Sequence, residues 1–536
     1  MKHIIFVILF LLLVACAQTP TPEPQVAVVT TRIITATPEP TNTATLTPTA
    51  TTTSTPTATL TPTPTTTSTP TATPTMTPTP VPSPMPIPLG VPLLSVTAHA
   101  ENPGLTIAPD FIGLSFEAPE LARARFDIQN ATFVRLLEGL GAGTLRFGGN
   151  SVEDTFWSRT SRIVYPNSKA TLIGEDLDHL FTFAKRVNWR VILGLNLGNY
   201  DPDTFADEAE YAVTKGGDIL FALEIGNEPD LFMWNGRRPR QWDYSNFRFE
   251  WEAYVQAIRT RVPNAPISGP GTCCGTGLQW MPRFIPDERR QLILATHHIY
   301  PMSNPYTGPA YNPTIENMLS PQLMTRVAGT VDEVVRPARA QGLPLQIAES
   351  NSASGGGKRG MSDVFAAALW GADHMFTLAE HGARGINFHN GFGCGGSYAA
   401  ICARGNTYYA EPLYYGMLLF SYAGRGRIVP TETSTPLNVT AHGTLGNDGK
   451  LRVTLINKDR AQLVATQIYA SKPYSKASAM RLLAPSLESR TEITFAGRAV
   501  NDDGSWNAGA AEPVVQIGDL FLLAVPPASA VVVTLE

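Results

Sequence analysis

Two glutamates that are far apart in the chain each stand at the end of a mostly apolar segment. Glu228 follows the run 219–225, whose one charged member is Glu224, and it belongs to an Asn-Glu-Pro-Asp corner. Glu349 ends the run 345–349 in the same way. Both runs are typical of buried parallel strands. Because Pro229 restricts Glu228 to extended geometry, the strand should end there with the carboxylate projecting from its carboxyl edge.

A pair of carboxyl groups at one edge of a sheet can hydrolyse a glycosidic bond. In a retaining glycosidase one carboxyl group protonates the leaving oxygen, and the other, about 5–5.5 Å away, attacks the anomeric carbon. Barrel and doubly wound α/β proteins hold their reactive groups at the carboxyl edge of the strands. We therefore predict that Glu228 is the general acid/base, which must hold a proton, and that Glu349 is the nucleophile, which must stay ionised.

Further polar side chains stand at the ends of other predicted strands, which favours a shared pocket. Asn227 is suited to bind the sugar 2-hydroxyl group. Arg146 and Tyr300 are candidates to keep Glu349 ionised, and Glu117 is interpreted as an acceptor for sugar hydroxyls. The remaining members of this set are Asn150, His297, His298, His389 and Asn390.

Three consecutive glycines, Gly355-Gly356-Gly357, begin six residues after Glu349. Glycines leave backbone N–H groups free to face a bound anion, in the manner of a nest. The alternative is a flexible loop, which is the usual meaning of such a run. Its position directly after the predicted nucleophile is what favours the anion-binding interpretation.

Short apolar strands alternate with helical patterns between residues 111 and 423. Eight strand–helix repeats fit a (β/α)8 barrel better than an open doubly wound sheet, and no G-x-G-x-x-G follows the first strand to indicate a dinucleotide site. The predicted strands are Phe111–Glu117, Gly143–Phe147, Arg190–Leu197, Asp218–Ile225, Ala265–Gly269, Leu292–Tyr300, Pro344–Glu349 and Gly385–His389. The predicted helices are Glu175–Val187, Ser245–Val262, Thr325–Gln341, Ser362–His381 and Tyr409–Tyr422.

Period-two strands separated by Gly, Asn and Asp turns follow the barrel. Examples are Leu451–Asn457, Leu463–Tyr469 and Ala530–Leu535, and this pattern is typical of an all-β module. We therefore predict an α/β protein with a (β/α)8 barrel in 109–424 and a β-sandwich in 425–536. Residues 93–108 should add an N-terminal strand to the sandwich, which is interpreted as a structural partner of the barrel.

The chain begins like an exported bacterial lipoprotein. In residues 1–16 two basic residues precede an apolar run that is too short to span a membrane. Leu13-Val14-Ala15-Cys16 is similar to a lipobox, in which Cys16 would be lipidated; an ordinary signal peptide is the alternative. Residues 17–92 are Thr/Pro-rich and repetitive, so we expect a disordered tether. The predicted location is the outside of a bacterial cell, either lipid-anchored or secreted.

The net charge limits which classes of molecule the protein can bind, and the cysteines indicate which disulfides it can form. A net charge of −5 without a Lys/Arg tract argues against nucleic acid and against a membrane contact beyond the lipid anchor. An exported chain permits disulfides: Cys394 and Cys402 would close a short Gly-rich loop. Cys273 and Cys274 could bridge each other only with a strained peptide, so they stay free or pair elsewhere. No zinc signature is present, and we expect neither a metal nor a cofactor.

Four motifs resemble glycoside hydrolase family 79, which contains bacterial β-glucuronidases and animal heparanases. The Asn-Glu-Pro motif alone is shared with the wider clan A of retaining glycosidases, whereas a glutamate followed by the triple glycine is more specific. The resemblance covers most of residues 111–423 and implies a barrel with a sandwich built from both chain ends, retaining chemistry and no metal. The motifs are Leu145-Arg146-Phe147-Gly148-Gly149, Gly226-Asn227-Glu228-Pro229, His297-His298-Ile299-Tyr300 and Glu349-Ser350-Asn351-Ser352-Ala353-Ser354-Gly355-Gly356-Gly357.

The resemblance also implies roles for individual residues. Glu228 aligns with the family's acid/base position, and Glu349 aligns with its nucleophile position. Gly355 and Gly356 fall at the backbone donors that hold a glucuronate carboxylate, and Tyr398 at its phenolic partner. Two further positions, those that contact sugar hydroxyls, correspond to Asn150 and Glu117. Ser354 and the cysteine loop 394–402 depart from the family pattern on the leaving-group side.

We therefore predict an exo-acting retaining β-glucuronidase whose partner is a glucuronide-containing oligo- or polysaccharide. A heparanase-like endo-glucuronidase is an alternative, but this chain shows no basic cluster for sulfated chains. A clan A glycosidase for a neutral sugar, such as a xylosidase or arabinofuranosidase, would not need an anion site. A non-catalytic carbohydrate-binding lipoprotein would have no need of two paired glutamates.

Overall fold

The structure, a computed structural model, describes residues 82–396, 398–434 and 437–536. The predicted signal segment 1–16, the lipidation site Cys16 and the tether up to residue 81 lie outside the described residues. Residues 82–92, the end of the predicted tether, contain a turn but no helix or strand. Among the described residues, no helix is both long and apolar enough to cross a bilayer.

Eight parallel strands close into a barrel. They follow one another in chain order around the barrel, and the eighth pairs with the first. The predicted (β/α)8 barrel is thus confirmed, with strand ends that differ from the predicted ones by a few residues. The strands are Gly113–Glu117, Gly143–Gly148, Trp189–Leu195, Leu220–Ile225, Ile267–Cys273, Leu292–Ile299, Leu345–Ser350 and Gly385–His389.

The interior of the barrel is lined largely by small and polar side chains. Asn387 donates from Nδ2 to Thr144 Oγ1 at 3.0 Å, and Gln346 donates from Nε2 to Asn387 Oδ1 at 2.7 Å. An apolar layer formed by Ile192, Ala222 and Leu294 is separate from the main core. Because these interior side chains are hydrogen-bonded to one another, their burial does not leave polar groups unpaired. The space above them accommodates a completely buried arginine at the mouth of the barrel, Arg146.

Helices pack around the outside of the barrel. The five predicted helices are present, although Pro321–Ala340 begins four residues before its predicted start, because Ser320 caps it by accepting from Leu323 N. The helix Cys274–Glu288, which was not among the helices named from the sequence, contains Pro282 and Pro286, although proline ordinarily interrupts a helix. The α-helices are Ala131–Leu140, Gly174–Arg186, Pro202–Gly216, Tyr244–Arg261, Cys274–Glu288, Ile315–Met318, Pro321–Ala340, Phe365–Glu380 and Pro412–Ala423.

Two further sheets form the predicted sandwich. One contains, in spatial order, Thr431–Thr433, Leu93–Ala98, Val464–Ala470, Leu520–Val525 and Val515–Ile517. The other contains Arg427–Val429, Val439–Leu445, Leu451–Asn457, Ser529–Leu535, Ala477–Leu483 and Thr494–Phe495, with Glu512–Pro513 beside Ala477–Leu483. Two short ribbons pair Thr155–Trp157 with Ala170–Leu172 and Ile401–Arg404 with Thr407–Ala410. The N-terminal strand Leu93–Ala98 lies parallel to Val464–Ala470, so both ends of the described chain build the sandwich.

The last strand, Ser529–Leu535, joins the sandwich to the barrel. Val531 and Val533 belong to the sandwich core, whereas Ala530 and Val532 belong to the core that continues into the barrel. Successive side chains of a strand point to opposite faces, so this strand is buried on both. The sandwich therefore shares a continuous apolar contact with the barrel.

Candidate active site

A cavity of about 840 Å³ opens at the carboxyl ends of the barrel strands. Eleven of the residues predicted from the sequence line it: Glu117, Asn150, Glu228, His297, His298, Tyr300, Glu349, Gly355, Gly356, His389 and Tyr398. Two others, Arg146 and Asn227, lie buried directly beneath it. The structure thus brings these residues to one site. Asn390, which was also predicted, does not line the cavity; it donates to Ile401 O and accepts from Ala400 N.

Glu228 differs from the prediction in its backbone. Its φ and ψ are 50° and 52°, in the left-handed region, and the expectation that Pro229 would hold it extended was wrong. The Glu228 N–H donates to Gly271 O at 2.8 Å, a contact with the fifth strand that fixes this unfavourable conformation. Non-glycine residues in this region cost free energy and occur disproportionately at functional sites. His298 Nδ1 lies 3.0 Å from Glu228 Oε1 and orients the carboxyl group.

Glu349 is held as an anion by a set of donors. The seventh strand shifts register between Ile347 and Glu349, and this bulge turns the carboxylate into the cavity. Arg146 donates to Glu349 Oε2 at 2.6 Å, and the Tyr300 hydroxyl donates to Oε1 at 2.8 Å. Burial alone would raise the pKa of Glu349, but the charges of His389, His298 and Arg146 outweigh it and hold that pKa well below its usual range.

Arg146 connects the two halves of the site. Its guanidinium donates to Glu224 Oε2 at 2.8 Å, to Glu349 and to Asn227 Oδ1 at 2.9 Å. Burial would lower the pKa of Arg146, but its two carboxylate partners raise it. The arginine is therefore a permanent cation that fixes both Glu349, the predicted nucleophile, and Asn227, the residue before the predicted acid/base.

The two catalytic candidates face each other. A carboxylate oxygen of Glu228, one of Glu349 and a ring nitrogen of His298 all lie within 4.8 Å of one another. Three such groups can hold a cation, but here Arg146 and Tyr300 already donate to Glu349, so the arrangement favours proton transfer and nucleophilic attack over metal binding. A second such group among the described residues, Cys394, Cys402 and Glu411, has both sulfurs in a disulfide.

Glu117 and His389 close the opposite side of the cavity. Ser151 donates its N–H to Glu117 Oε2 at 2.9 Å. His389 bridges two carboxylates, with Nε2 3.4 Å from Glu117 Oε1 and Nδ1 3.5 Å from Glu349 Oε2. Burial would lower the pKa of His389, but these carboxylates raise it. Glu117 keeps one carboxylate oxygen toward the cavity, as a sugar-hydroxyl acceptor requires.

The glycine loop presents free backbone donors. Gly355 and Gly356 have φ values of 69° and 86°, and a Cβ on Gly355 would lie 1.7 Å from Asn304 O, so only glycine fits there. Within the described residues the N–H groups of Gly355 and Gly356 have no hydrogen-bond acceptor. The Tyr398 phenol contacts that of Tyr300. Two unpaired N–H groups and a phenol thus line one side of the cavity.

Several site residues were not predicted. Glu153 accepts from Leu197 N at 2.8 Å and from Asn227 N at 2.7 Å, and so ties the Asn227 loop to the third strand. Burial raises the pKa of Glu153 to about 7 despite these hydrogen bonds. Asp230, also buried, accepts from Cys273 N at 3.0 Å. Glu224 was visible in the sequence as the one charge in an apolar run, but nothing there identified its partner.

Both cysteine pairs of the described chain are disulfides. Cys394 and Cys402 are joined, and so are the adjacent Cys273 and Cys274. The second pair was expected to stay free or to pair elsewhere, and that expectation was wrong. The left-handed backbone of Cys274, with φ 59°, turns its side chain toward that of its neighbour. The two sulfur atoms can therefore meet within a single turn at the end of the fifth strand.

Comparison with known proteins finds glycosidases among the similar chains. No protein-family model matches the chain. A β-glucuronidase of Aspergillus niger is 24% identical over 62% of this chain and 68% of its own length, and one of Neurospora crassa is 28% identical over 43% and 45%. A heparanase of Mus musculus is 21% identical over 63% of this chain and 72% of its own length.

Solved structures share the fold. That of a 4-O-α-L-rhamnosyl-β-D-glucuronidase from Fusarium oxysporum superimposes with a TM-score of 0.69 at 21% identity, over 85% of this chain and 99% of the other. That of a family 51 arabinofuranosidase from Xanthomonas axonopodis gives 0.60 at 14% identity, over 83% and 100%. The barrel, its facing carboxylates and these relatives define the class: the protein is a glycoside hydrolase. Within that class, its relatives at low identity are β-glucuronidases and a heparanase.

Proposed function

We propose that the protein is a retaining β-glucuronidase that removes terminal glucuronic acid, and that it belongs to glycoside hydrolase family 79. The observation that carries the proposal is the meeting of Glu228 and Glu349 within 4.8 Å, beside a loop with unpaired backbone donors. That separation is close to the roughly 5–5.5 Å of retaining enzymes and shorter than the roughly 6.5–9.5 Å that inverting enzymes need for an intervening water.

In the first step Glu349 attacks the anomeric carbon while Glu228 gives its proton to the glycosidic oxygen. The carbon–oxygen bond to the leaving group breaks, and a glucuronyl ester of Glu349 forms. In the second step Glu228, now ionised, takes a proton from water, which attacks the same carbon and releases Glu349. Both steps pass through a transition state with positive charge on the sugar ring.

The surrounding residues prepare each carboxyl group for its role. Arg146 and Tyr300 hold Glu349 ionised and aimed at the cavity, at 2.6 and 2.8 Å. The same arginine donates to the side-chain oxygen of Asn227, Oδ1. This leaves the side-chain nitrogen Nδ2, which lies 3.5 Å from Asn150 Oδ1, to bind the sugar 2-hydroxyl group. This hydrogen bond strengthens in the transition state.

The glucuronate carboxylate is assigned to the glycine loop. The N–H groups of Gly355 and Gly356 have no acceptor of their own, and the nearby Tyr398 phenol supplies a third donor. Both glycines are exposed to solvent. A bound glucuronate that covers them replaces the lost water with its carboxylate, whereas a neutral sugar that covers them would leave the donors without a partner. Glu117 and Asn150 then bind ring hydroxyls from the opposite side. This favours a glucuronide over the xylosides and arabinosides of the neutral-sugar alternative.

The lining of the cavity disfavours a heparanase-like substrate. Among its lining residues in the described chain, the one arginine is Arg326, and there is no lysine. Arg326 already donates to Pro301 O and Ala310 O at 2.8 and 2.7 Å. A sulfated polymer needs several free cations along its path, so we assign an uncharged or singly charged leaving group.

For the rest of the chain we propose attachment to the outer surface of a bacterial cell through Cys16, with the Thr/Pro-rich segment as a tether. Metabolic labelling with a palmitate analogue, in the wild type and in Cys16→Ser, checks this. The label should be present in the former and absent in the latter. A label in both chains would contradict the assignment.

The enzyme assignment is tested by a screen of p-nitrophenyl glycosides with an NMR readout of the first-formed product. We expect the β-glucuronide to be cleaved and β-glucuronic acid to form first, because two displacements retain configuration. If the xyloside or arabinofuranoside were cleaved equally fast or faster, the assigned substrate would be a neutral sugar and not a glucuronide. The α-anomer as the first product would contradict the double displacement.

A further inference from the structure

The cavity has two chemically different halves. Around Glu349 its lining is polar and contains Glu117, Asn150, His389 and Tyr398. Near Glu228 in the chain and on the adjoining fifth strand, the lining includes Leu231, the Cys273–Cys274 disulfide and Leu278. We call these four residues the apolar wall. At about 840 Å³ the cavity is near the upper end of the range for small-ligand sites, so it extends well past a single sugar.

The position of the apolar wall relative to Glu228 decides which part of a substrate meets it. A general acid must lie beside the oxygen that it protonates, and that oxygen carries the leaving group. Leu231 is three residues from Glu228, and Cys273 ends the strand whose Gly271 accepts from Glu228 N at 2.8 Å. The apolar wall therefore borders the leaving group and not the glucuronate.

The disulfide is fixed to the acid/base loop. Cys273 N donates to Asp230 Oδ1 at 3.0 Å, and Asp230 is 2% exposed. Cys273 itself is buried, whereas Cys274 is exposed. The covalent bond holds the two sulfurs as one surface, which two separate thiols with free rotation would not provide.

We propose that the Cys273–Cys274 disulfide, with Leu231 and Leu278, forms the platform of the leaving-group subsite and binds the apolar face of a ring. The inference rests on the proposed glucuronidase function and names its leaving group: a ring with an apolar face, either an aromatic aglycone or the C–H face of a sugar. Sulfur is polarisable and makes favourable contacts with ring faces and edges, and the leucines exclude water from the same contact.

The test compares Cys273→Ala/Cys274→Ala with wild type on three substrates: β-glucuronyl fluoride, p-nitrophenyl β-glucuronide and a disaccharide with non-reducing glucuronate. Fluoride has no ring, so its kcat/KM should change by less than about twofold, whereas kcat/KM for a ring-bearing leaving group should fall by about tenfold, the usual size for a lost apolar contact. A loss confined to the aryl glucuronide identifies an aromatic aglycone. A loss confined to the disaccharide identifies a sugar.

Two further variants keep the outcome decisive. Leu278→Ala removes part of the apolar wall without touching a disulfide, and should give the same pattern if the cysteine variant fails to fold. Cys394→Ala/Cys402→Ala is the matched control, because it removes the other disulfide, whose two cysteines are not among the residues that line the cavity, and it should change all three substrates alike. An equal change on all three with the Cys273–Cys274 and Leu278 variants, or none, overturns the subsite.

Failure of the proposed function gives a different result. A wild-type enzyme that cleaves none of the three glucuronides removes the glucuronidase assignment and the subsite with it. A wild type that cleaves all three, with variants that show no dependence on the leaving group, leaves the glucuronidase assignment intact and overturns the subsite alone.

Discussion

Two clusters of buried charge lie in different parts of the molecule. The site cluster, at the mouth of the barrel, consists of Arg146, Glu224, Glu228, His298 and Glu349. The interface cluster lies where the helix Phe365–Glu380 meets the sandwich, and consists of Asp373, Glu380, His442 and Lys458. Lys458 Nζ lies 2.6 Å from Asp373 Oδ2, and His442 lies 2.9 Å from Asp373 and 2.8 Å from Glu380.

The clusters differ in how completely their charges are paired. In the interface cluster both carboxylates have cationic partners. Asp373 and Lys458 are buried, and neither lines the active-site cavity. In the site cluster the one side-chain hydrogen-bond partner of Glu228 within the described part of the chain is the imidazole of His298, and Glu349 still faces the cavity. Buried charges must be paired if they are to be tolerated. The site cluster differs in that its carboxyl groups can still form hydrogen bonds with a substrate in the cavity.

The largest effect is expected from a substitution in the site cluster. Glu349→Ala should lower kcat/KM for p-nitrophenyl β-glucuronide by about 10⁴-fold, because a nucleophile has no substitute in the first step. The unfolding free energy should change less than in a closed interior, since Arg146 keeps Glu224 as a partner and water can enter from the cavity that Glu349 lines. Steady-state kinetics and urea unfolding measure the two quantities.

Azide provides the control for this variant. It should enter the space left by the carboxylate, restore turnover and give α-glucuronyl azide, whereas Glu228→Ala should give the β-azide by attack on the glycosyl-enzyme. A Glu349→Ala enzyme with near-normal turnover would remove Glu349 as the nucleophile.

The second largest effect is expected from a substitution in the interface cluster. Lys458→Met should lower the unfolding free energy by about 3–5 kcal/mol, because Asp373 is left buried with reduced compensation. The kcat of the folded fraction should stay the same, since no member of the interface cluster lines the cavity. Lys450→Met is the control: Lys450 pairs with Glu536 at the surface, where ion pairs contribute little. Loss of kcat in folded Lys458→Met would couple the two clusters and contradict their independence.

A pH titration sharpens the comparison further. Burial would lower the pKa of His442, but Glu380 and Asp373 outweigh it and raise the pKa to about 9. A group whose pKa is raised by folding stabilises the protein fully below its unfolded pKa of about 6.5, and this contribution is lost as pH rises through the folded value. Urea unfolding should therefore show stability falling between about pH 6.5 and 9, by roughly 3 kcal/mol.

His442→Gln should flatten this part of the stability curve. Asp373 does not contribute to the pH dependence in this range. Burial would raise its pKa, but Lys458 and His442 outweigh burial and lower it. The stability that ionised Asp373 provides is therefore lost only at acid pH. A wild-type stability that is constant from pH 6.5 to 9 would show that His442 is not charged in the folded protein.

The sequence predicted the site cluster better than the interface cluster. Glu228 and Glu349 were visible because each interrupts an apolar strand at its end, and a barrel brings all strand ends together. Asp373 and Lys458 lie in a helix and after a sandwich strand, and no local pattern indicates that they meet. Their pairing depends on how the sandwich docks on the barrel, which is a property of the whole fold.

Local rules also failed at particular residues for physical reasons. Glu228 takes a left-handed backbone against the preference of a residue before proline, since Gly271 O accepts its N–H. The helix Cys274–Glu288 forms despite two prolines because Met281, Phe284 and Ile285 are buried against the barrel. In both cases tertiary contacts outweigh a local preference of a few kcal/mol at most.

The smallest expected effect concerns the unpaired donors of the site. Gly356→Ala places a methyl group where no atom lies within 4 Å, so the loop keeps its packing. An alanine at φ 86° nevertheless costs about 1–2 kcal/mol, and the loop should relax and turn its N–H groups away from the carboxylate. We expect kcat/KM for the p-nitrophenyl glucuronide to fall roughly tenfold, with less than about a twofold change for the xyloside.

Gly518→Ala is the matched control for this last comparison. Gly518 also has a positive φ, 58°, and no atom within 4 Å of an added Cβ, but it lies in the sandwich, beside the strand Leu520–Val525. Both variants should lose similar stability, and only Gly356→Ala should lose selectivity for the glucuronide over the xyloside. If the two variants keep the same selectivity, the free donors of the glycine loop do not bind the carboxylate, and the preference for glucuronate must then arise from Tyr398 and the residues around it.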